Sequence, residues 1–294
     1  MKIGITGVTG LIGRHIAALA RSRGHEVIRF ARHPEQAGAG LRPFSIDQAP
    51  DVTGCDAIVN LAGESVVGLW TPAKRRAIRE SRVLGTQRIV EAIQQAEKPP
   101  RILVSASATG FYGNTGDTPT DETCPPGTGF LAQVCKEWEA EALKAAQSGT
   151  RVVLLRTGMV LAKDAGALPA MLPVFRLGLG GNLGTGRQWV SWIHIQDEAA
   201  LALAAVENTA IQGPLNATAP NPVRNADFTR SLAGKLNRPA FFKVPAFALR
   251  AAAGGFSAEL LESRRVIPVA ATKAGFAFRF PVLEGALADL LGTE

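Results

Sequence analysis

The sequence is poor in the side chains that most often carry proton chemistry or hold metal ions. Its 294 residues include one tyrosine, four histidines and three cysteines. The cysteines, Cys55, Cys124 and Cys135, are odd in number and lack C-x-x-C spacing, which argues against a disulfide framework and against a zinc site. We therefore predict no metal site and expect a reducing, cytoplasmic location.

Long apolar runs and blocks of charge are also missing. No apolar run reaches the roughly 18 residues needed to cross a bilayer, so no membrane partner is expected. Lys and Arg (32) exceed Asp and Glu (25) to give a net charge of +7, but the cations are scattered and do not imply nucleic acid. With 46% hydrophobic and 19% charged residues, the chain has the composition of a folded protein with a large core.

Short apolar runs alternate with amphipathic stretches from Lys2 to Ser107, which is the pattern of βαβ units and a parallel sheet. The predicted strands are Lys2–Thr6, Glu26–Phe30, Arg42–Ser45, Ala57–Leu61, Ile102–Ser105 and Arg151–Arg156. The helices predicted between them are Leu11–Arg23, Ala73–Ala96 and Gly129–Ser148. Six strands with intervening helices predict an α/β fold with a doubly wound parallel sheet.

The pattern loosens after Thr157, where a segment rich in glycine and proline precedes a predicted strand, Trp189–Ile195, and a predicted helix, Asp197–Val206. Beyond it short helices dominate, predicted at Ala226–Leu236, Ala246–Ala253, Ala258–Glu262 and Pro281–Leu291. We predict a larger domain over residues 1–163, to which 187–217 returns. Residues 164–186 and 218–294 would form a smaller, mostly helical C-terminal domain over the carboxyl ends of the strands.

Three glycines, Gly7, Gly10 and Gly13, lie between the first predicted strand and the first predicted helix. Gly7 permits a turn that a side chain would block, Gly10 lets the backbone approach a pyrophosphate, and Gly13 allows the helix to pack closely on the strand. Backbone N–H groups and the helix dipole at this point favour a diphosphate. We predict a dinucleotide site formed by these glycines together with Thr9, Leu11 and Ile12.

The end of the second predicted strand lacks the acid that NAD enzymes place there to bind the ribose 2′-hydroxyl. The sequence at this point reads Phe30-Ala31-Arg32-His33. The guanidinium of Arg32 matches the oxygens of a 2′-phosphate, and the alternative is a solvated arginine at a strand end. We predict that Ala31 and Arg32 belong to the cofactor site and that NADPH is preferred over NADH.

Taken together, the motifs resemble the extended short-chain dehydrogenase/reductase superfamily and, within it, the atypical epimerase family of NAD-dependent epimerase/dehydratase-like proteins. The motifs that carry the resemblance are Gly7-x-x-Gly10-x-x-Gly13, Asn60-Leu61-Ala62-Gly63-Glu64, Ser81-Arg82, Ser107-Ala108 with Tyr112-Gly113, Trp138-Glu139, Arg156-Thr157-Gly158, Gly178-Leu179-Gly180-Gly181 and Trp192-Ile193-His194. The resemblance covers nearly the whole chain. It implies an NADP-binding Rossmann domain, a substrate domain in the C-terminal part, and a cleft between them.

The resemblance also implies roles for single residues. Leu61, Ala62 and Gly63 stand where the superfamily lines the diphosphate and ribose of the cofactor, and Val160 stands beside the nicotinamide. Arg82 occupies the place of a structural asparagine in most members, and we assign it to the cofactor site. Ser107 follows the fifth predicted strand, at the position of the catalytic serine.

The superfamily's Tyr-x-x-x-Lys motif, which supplies the proton to the substrate, is absent. Gly116 lies four residues after Tyr112, and alignment of the helix puts Leu131 and Cys135 at the tyrosine and lysine positions. A leucine carries no proton, and a thiol has no fixed positive charge. We retain Ser107 and Tyr112 as candidate catalytic residues and interpret Cys135 as a buried helix residue in preference to a reactive thiol.

Two functions remain open from the sequence. The first is an NADP(H)-dependent oxidoreductase or epimerase/dehydratase relative that acts on a small substrate, of which a sugar nucleotide is one candidate. The second is a regulatory protein, for example linked to cell division, that binds NADPH without turnover. Either could be a monomer or a homodimer.

Overall fold

Seven parallel strands form the central sheet of the computed structural model, which describes residues 1–31 and 41–292. Along the chain the strands are β1 (Lys2–Thr6), β2 (Glu26–Ala31), β3 (Leu41–Pro43), β4 (Ala57–Asn60), β5 (Ile102–Ala108), β6 (Pro119–Thr120), β7 (Arg151–Thr157), β8 (Met159–Leu161), β9 (Gly181–Leu183), β10 (Trp189–Val190), β11 (Trp192–His194), β12 (Gly213–Ala217), β13 (Val223–Arg224), β14 (Phe242–Val244) and β15 (Arg265–Val266).

The helices lie mostly between these strands. They are α1 (Leu11–Ser22), α2 (Pro72–Gln95), α3 (Phe130–Leu143), α4 (Ala167–Arg176), α5 (Ile195–Glu207), α6 (Asn225–Lys235), α7 (Ala246–Ala253), α8 (Ser257–Leu261), α9 (Val269–Lys273) and α10 (Leu283–Leu291). Short 3-10 turns occur at Thr109–Tyr112, Lys144–Ser148 and Gly254–Phe256.

The order of strands in the main sheet is β3-β2-β1-β4-β5-β7-β12. β1 pairs with β2 on one side and with β4 on the other, all in parallel. This order confirms the predicted doubly wound fold. The direction of winding reverses beside β1, and ligands of such sheets bind at that point, outside the carboxyl ends of the strands.

Helices cover both faces of the sheet, which explains why the central strands β1, β4, β5 and β7 are buried along most of their length. On one face Ile3 and Ile5 of β1 pack in a cluster with Ile16 of α1 and Leu201 of α5. On the other face Ile58, Ile89, Ile93 and Leu103 belong to a second cluster, beneath α2 and α3. Each such side chain stabilises the fold by about 1.5–3 kcal/mol when fully buried.

The sequence explains where the two long N-terminal helices begin and which side they bury. In α1 the buried residues Gly13, Ile16, Ala17 and Ala20 recur with the spacing of one helical face. Thr71 caps α2, since its side chain accepts a hydrogen bond from the Lys74 N–H, and Pro72 follows as the first helical residue.

The C-terminal part is built on a separate cluster that includes Trp192, Phe228, Leu232 and Leu287. Two-stranded sheets, which the sequence did not predict there, connect it to the rest: β14 pairs with β9, β13 with β10 and β15 with β6. β12, by contrast, is the edge strand of the main sheet, paired with β7. The two-domain division stays a prediction.

Two predicted elements are divided in the structure. The predicted strand Trp189–Ile195 is interrupted at Ser191, whose hydroxyl donates to the Arg264 carbonyl and accepts from the Val266 N–H, and α5 already begins at Ile195. The predicted helix Gly129–Ser148 is α-helical only to Leu143 and continues as a 3-10 turn. Among the helices of residues 1–31 and 41–292, none has the length and apolar composition that crossing a membrane requires.

Candidate functional site

The glycine turn after β1 is shaped by close backbone packing. Gly7 has a φ of +64°, and the Gly10 N–H donates to the Gly7 carbonyl at 2.9 Å. A Cβ at Gly13 would lie 2.3 Å from the Gly7 oxygen, closer than any real contact, so α1 can approach the turn only with glycine at this position. At Gly10 the same Gly7 oxygen, at 3.1 Å, is the one neighbour that the described residues place within 4 Å of an added Cβ.

The beginning of α1 has the features of an anion site. Its N-cap, Gly10, offers no side-chain hydrogen bond, and the first turn contains no acidic residue. Thr9 and Gly10 are exposed, and Leu11 and Ile12 are half-buried. The backbone N–H groups of this turn have no intrahelical acceptors, and the positive end of the helix dipole adds to their attraction for a diphosphate.

A hydrogen-bonded threonine holds the end of β4 against this turn. The Thr6 hydroxyl donates to Asn60 Oδ1 at 2.7 Å and accepts from the N–H groups of Leu61 (3.0 Å) and Ala62 (3.2 Å). A Cβ at Gly7 would lie 3.0 Å from the Leu61 carbonyl carbon. The predicted residues after β4 are therefore brought beside the glycine turn. Thr6 and Asn60 carry out this positioning, although the sequence analysis gave neither a role.

Arg82 reaches the same segment from α2. Its guanidinium donates to the Glu64 carbonyl at 2.8 Å and lies 5.3 Å from the centre of the Trp138 ring. A Cβ at Gly63 would be 3.2 Å from the guanidinium carbon, so Gly63 allows this approach. Burial lowers the pKa of Arg82, but an arginine stays charged under physiological conditions. The structure thus places a cation directly behind residues 63 and 64.

Apolar groups from three segments border the glycine turn. Ile12, Leu61 and Val160 all pack against the same buried cluster of the sheet. Val160 lies in β8, opposite Ile193 of β11. The segment after β8 returns to α1, where Asp164 pairs with Arg14 at 2.5 Å. The predicted cofactor residues thus come together at the switch point, except that Arg32 lies outside the described residues; Ala31 ends β2.

Ser107 belongs to a buried polar cluster, here named the Arg156 centre: Ser107, Tyr112, Glu139, Arg156 and Asn216. The Ser107 hydroxyl donates to Glu139 Oε1 at 2.6 Å. Arg156 donates to both oxygens of the same carboxylate, each at 2.8 Å. The proton of Ser107 is therefore directed at Glu139, and its oxygen can accept a hydrogen bond from a ligand but not donate one in this arrangement.

Tyr112 is held in the same centre. Its hydroxyl donates to Asn216 Oδ1 at 2.7 Å and accepts from Arg156 at 2.8 Å, and the side chain is 3% exposed. Burial raises the pKa of Tyr112 to about 12, even though the hydrogen bond and charge of Arg156 act in the opposite direction. The catalytic roles of Ser107 and Tyr112 stay predictions, and in the structure both hydroxyl protons already have acceptors inside the protein.

The positions of the missing tyrosine and lysine carry neither a hydroxyl group nor a cation. Leu131 lies against Gly110, where an added Cβ would be 3.4 Å from the leucine Cβ. Cys135 is 3% exposed, and burial raises the pKa of its thiol to about 11. The interpretation of Cys135 as a buried helix residue is confirmed. No group of three or more His, Cys, Asp or Glu side chains that could hold a metal ion occurs in the described part of the chain.

A doubly wound parallel sheet with a glycine turn and an uncapped helix at its switch point defines a dinucleotide-binding type of α/β protein. Comparison with family models narrows this class. Residues 3–217 match the NAD dependent epimerase/dehydratase family, and residues 244–290 match a domain of unknown function, DUF1731. The chain belongs to the NAD dependent epimerase/dehydratase family.

Similar proteins agree with this assignment. An epimerase family protein of Mycobacterium leprae is 42% identical over 290 residues, which are 97% of this chain and 94% of the relative. The crystal structure of human epimerase family protein SDR39U1 (isoform 2) with NADPH is 35% identical, with a TM-score of 0.91 and 99% of each chain covered. Thermus thermophilus UDP-glucose 4-epimerase in complex with NAD, 19% identical with a TM-score of 0.78 over the whole of both chains, shares the fold.

Proposed function

We propose that the protein binds NADPH at the glycine turn and acts as an oxidoreductase on a small substrate, bound where the C-terminal helices meet the carboxyl edge of the sheet. The observation that carries the proposal is the glycine turn itself. Gly10 leaves space beside an uncapped helix that contains no acid in its first turn. The human relative that was crystallised with NADPH, at 35% identity, supports the choice of nucleotide.

Each part of the site has a defined task in this proposal. When bound, NADPH supplies a hydride. The amides of residues 11–13 at the start of α1 bind the diphosphate, Leu61, Ala62 and Gly63 line the ribose, and Arg82 holds that segment in place. Arg32 binds the 2′-phosphate through its guanidinium.

Calorimetric titration with NADPH and NADH tests the proposal. We expect NADPH to bind at least tenfold more tightly, and the Arg32→Asp variant to lose that preference because a carboxylate repels the 2′-phosphate. Arg101→Asp, at an exposed arginine before β5, is the matched control and should keep it. No affinity for either nucleotide would contradict the proposed function, and equal affinities that Arg32→Asp leaves unchanged would remove Arg32 from it.

A second function, NADPH binding without turnover, is favoured by a specific observation. Leu131 and Cys135 occupy the proton-donor and lysine positions, and the Ser107 and Tyr112 protons are both donated within the protein. Oxidation of NADPH can be followed by absorbance with aldehydes and ketones as substrates, because their carbonyl groups can accept its hydride. Consumption of NADPH with any of them supports the oxidoreductase. Tight NADPH binding with no consumption across the panel favours the regulatory protein.

The cellular location and the oligomeric state of the protein belong to the same proposal. We place the protein in a reducing cytoplasm, a proposal supported by Cys55, Cys124 and Cys135, which are all free thiols. The proposal includes either a monomer or a homodimer. Sedimentation equilibrium of the purified protein distinguishes the two.

A further inference from the structure

The guanidinium of Arg82 has more hydrogen-bond donors than the protein uses. Its Nη1 donates to the Glu64 carbonyl at 2.8 Å and to the Ile78 carbonyl at 3.2 Å. A guanidinium has five N–H groups, so those of Nε and Nη2 remain, and they have no acceptor within residues 1–31 and 41–292. Because Arg82 is half-buried and charged donors removed from water need an acceptor, the unused N–H groups point to a ligand.

The guanidinium lies beside the segment that follows β4. A Cβ at Gly63 would be 3.2 Å from the guanidinium carbon of Arg82 and 3.3 Å from Nη2, one of the nitrogens with unused donors. β4 pairs in parallel with β5, where Asn60 and Ser105 are partners. Gly63 lies beyond the end of β4, so the guanidinium is at the carboxyl edge of the sheet, the edge at which ligands of such sheets bind.

On its other side Arg82 has Cys135 of α3 as a neighbour. Cys135 packs in one cluster with Ala108, the last residue of β5. Burial raises the pKa of the Cys135 thiol to about 11, and the charge of Arg82 acts in the opposite direction, which shows that the two side chains are close. The thiol is therefore neutral, and the cation of Arg82 is situated between the ends of β4 and β5.

The order of strands indicates which half of the nucleotide this cation faces. A doubly wound sheet binds a dinucleotide with one mononucleotide on each side of the switch point. β2 and β3 lie on one side of β1, and β4 and β5 lie on the other. The predicted 2′-phosphate site follows β2, so the adenosine half belongs to the β2 side. Arg82, between the ends of β4 and β5, is then on the side of the nicotinamide ribose.

We propose that Arg82 donates hydrogen bonds from Nε and Nη2 to the hydroxyl oxygens of the nicotinamide ribose, and so supplies from α2 the cation that α3 lacks at Cys135. Hydrogen bonds from a charged donor are stronger than those between neutral groups. The inference rests on the proposed function, because it needs NADPH at the glycine turn. It goes further in one respect: Nη1 holds the Glu64 carbonyl in place, while the other two nitrogens bind the cofactor.

Two departures from the motifs of the resemblance are thereby linked. The resemblance placed an asparagine at position 82 and a lysine at position 135, where this chain has Arg82 and Cys135. A lysine at 135 would bring a second cation close to Arg82, and like charges repel. The neutral thiol avoids this repulsion. The pair Arg82 and Cys135 is thus equivalent in charge to an asparagine and a lysine, with the cation donated from the other helix.

Calorimetric titration of the full-length protein with two nucleotides tests the proposal. Adenosine 2′,5′-bisphosphate has the 2′-phosphate of NADPH but lacks the nicotinamide ribose. Arg82→Met should weaken NADPH binding at least tenfold, the factor that one hydrogen bond to a charged group contributes, and change bisphosphate binding less than about threefold. Arg82→Lys, which keeps the charge, should lose less NADPH affinity than Arg82→Met. Arg79→Met, at an exposed arginine of the same helix, is the control and should leave both affinities unchanged.

Moving the cation to α3 separates cofactor binding from a merely structural role. Arg82→Asn should lose NADPH affinity as Arg82→Met does, and Arg82→Asn/Cys135→Lys should recover most of it. A structural role alone would displace residues 61–63 from the glycine turn, so NADPH and the bisphosphate would lose affinity by the same factor, and that result would overturn the inference. Unchanged NADPH affinity in Arg82→Met would also overturn it. A parent protein that binds neither nucleotide would instead contradict the proposed function, and this inference with it.

Discussion

Arg156 and Thr157 are adjacent on β7, so their side chains point to opposite faces of the sheet, and each reaches a buried glutamate. Arg156 forms paired hydrogen bonds with Glu139 of α3. Thr157 donates one hydrogen bond to Glu198 of α5 at 2.8 Å, and the second oxygen of Glu198 has no partner among the described residues. Glu139 is paired with a cation, whereas burial raises the pKa of Glu198 to about 8, which favours its protonated form. The two buried acids should therefore respond differently. Removal of Arg156 should destabilise the protein through Glu139, whereas a rise in pH should destabilise it through Glu198.

The Arg156 centre and the glycine turn also differ in what they offer a ligand. On the α3 face, the Arg156 centre satisfies its own hydrogen bonds through side chains. At the switch point, the glycine turn is built from backbone and leaves space. Substitutions in the first region should therefore change stability and leave NADPH affinity intact, and substitutions in the second should do the reverse.

The largest effect is expected for Arg156→Met. The ion pair with Glu139 is almost fully buried, with side-chain exposures of 4% and 7%. Removing the cation leaves an uncompensated buried carboxylate, and we expect the free energy of unfolding in urea to fall by about 3–5 kcal/mol.

An exposed pair that also involves α3 provides the control for that change. Arg79 pairs with Glu137 of α3 at 2.6 Å, with the arginine side chain 50% exposed. Arg79→Met should cost no more than about 1 kcal/mol. Equal losses for Arg156→Met and Arg79→Met would contradict the contrast between the buried and the exposed pair.

The second effect concerns the pH dependence of stability through Glu198. Burial raises the pKa of Glu198 from its ordinary value of 4.5 to about 8. Between about pH 4.5 and pH 8, Glu198 is therefore mostly protonated in the folded protein and mostly ionised in the unfolded chain. The stability contributed by the protonated form is complete below about pH 4.5, declines as pH rises towards about 8 and is constant above it. The slope approaches about 1.4 kcal/mol per pH unit, or about 3 kcal/mol between pH 5 and pH 7.

Glu198→Gln tests this dependence, because glutamine keeps an oxygen that accepts from Thr157 and cannot ionise. The difference in unfolding free energy between the parent and the variant should follow the predicted decline, with the variant becoming the more stable protein at pH 8. Glu137→Gln, at a surface acid, is the matched control. A difference that does not vary with pH would show that Glu198 is ionised in the folded protein.

The positions of Gly7, Gly10 and Gly13 could be predicted because their roles depend on local geometry alone. A positive φ and a close approach of helix to strand are requirements of the backbone, and they appear as glycines at fixed spacing. The main strands were predictable for a related reason, since burial on both faces produces continuous apolar runs. The main deviation, at Trp189–Ile195, arose where the hydroxyl of Ser191 binds backbone groups more than seventy residues away.

The Arg156 centre could not be predicted in the same way. Arg156 and Glu139 are 17 residues apart, on a strand and a helix, and their pairing depends on how α3 lies on β7. The motifs Trp138-Glu139 and Arg156-Thr157-Gly158 contained both residues, but spacing gave no reason to join them. Glu198 was missed for another reason, because an acid in the first turn of a helix is normally a surface residue that favours the helix dipole.

At the glycine turn, Gly10→Ala should weaken NADPH binding about 100-fold, or about 2.7 kcal/mol. The backbone at Gly10 has a φ of −75°, which alanine can adopt, and the fold should persist if the Gly7 carbonyl, 3.1 Å from the added Cβ, shifts by a few tenths of an ångström. The added methyl group would occupy the space above the turn that the diphosphate needs. Gly234→Ala is the control, since a Cβ there meets nothing within 4 Å. Unchanged affinity, measured by calorimetry, would place the diphosphate elsewhere.

The smallest effect is expected for Tyr112→Phe, and it decides whether the Arg156 centre takes part in catalysis. Loss of the hydroxyl removes one hydrogen bond to Asn216 and one from Arg156, for which we expect a loss of about 1–2 kcal/mol in unfolding free energy. NADPH affinity should not change, since the hydroxyl faces protein groups. If the role is structural, any NADPH oxidation rate stays within about twofold of the parent. A rate more than tenfold lower, equivalent to about 1.4 kcal/mol in the barrier, at unchanged NADPH affinity would show that Tyr112 exchanges its partners during the reaction and would restore it as the proton donor.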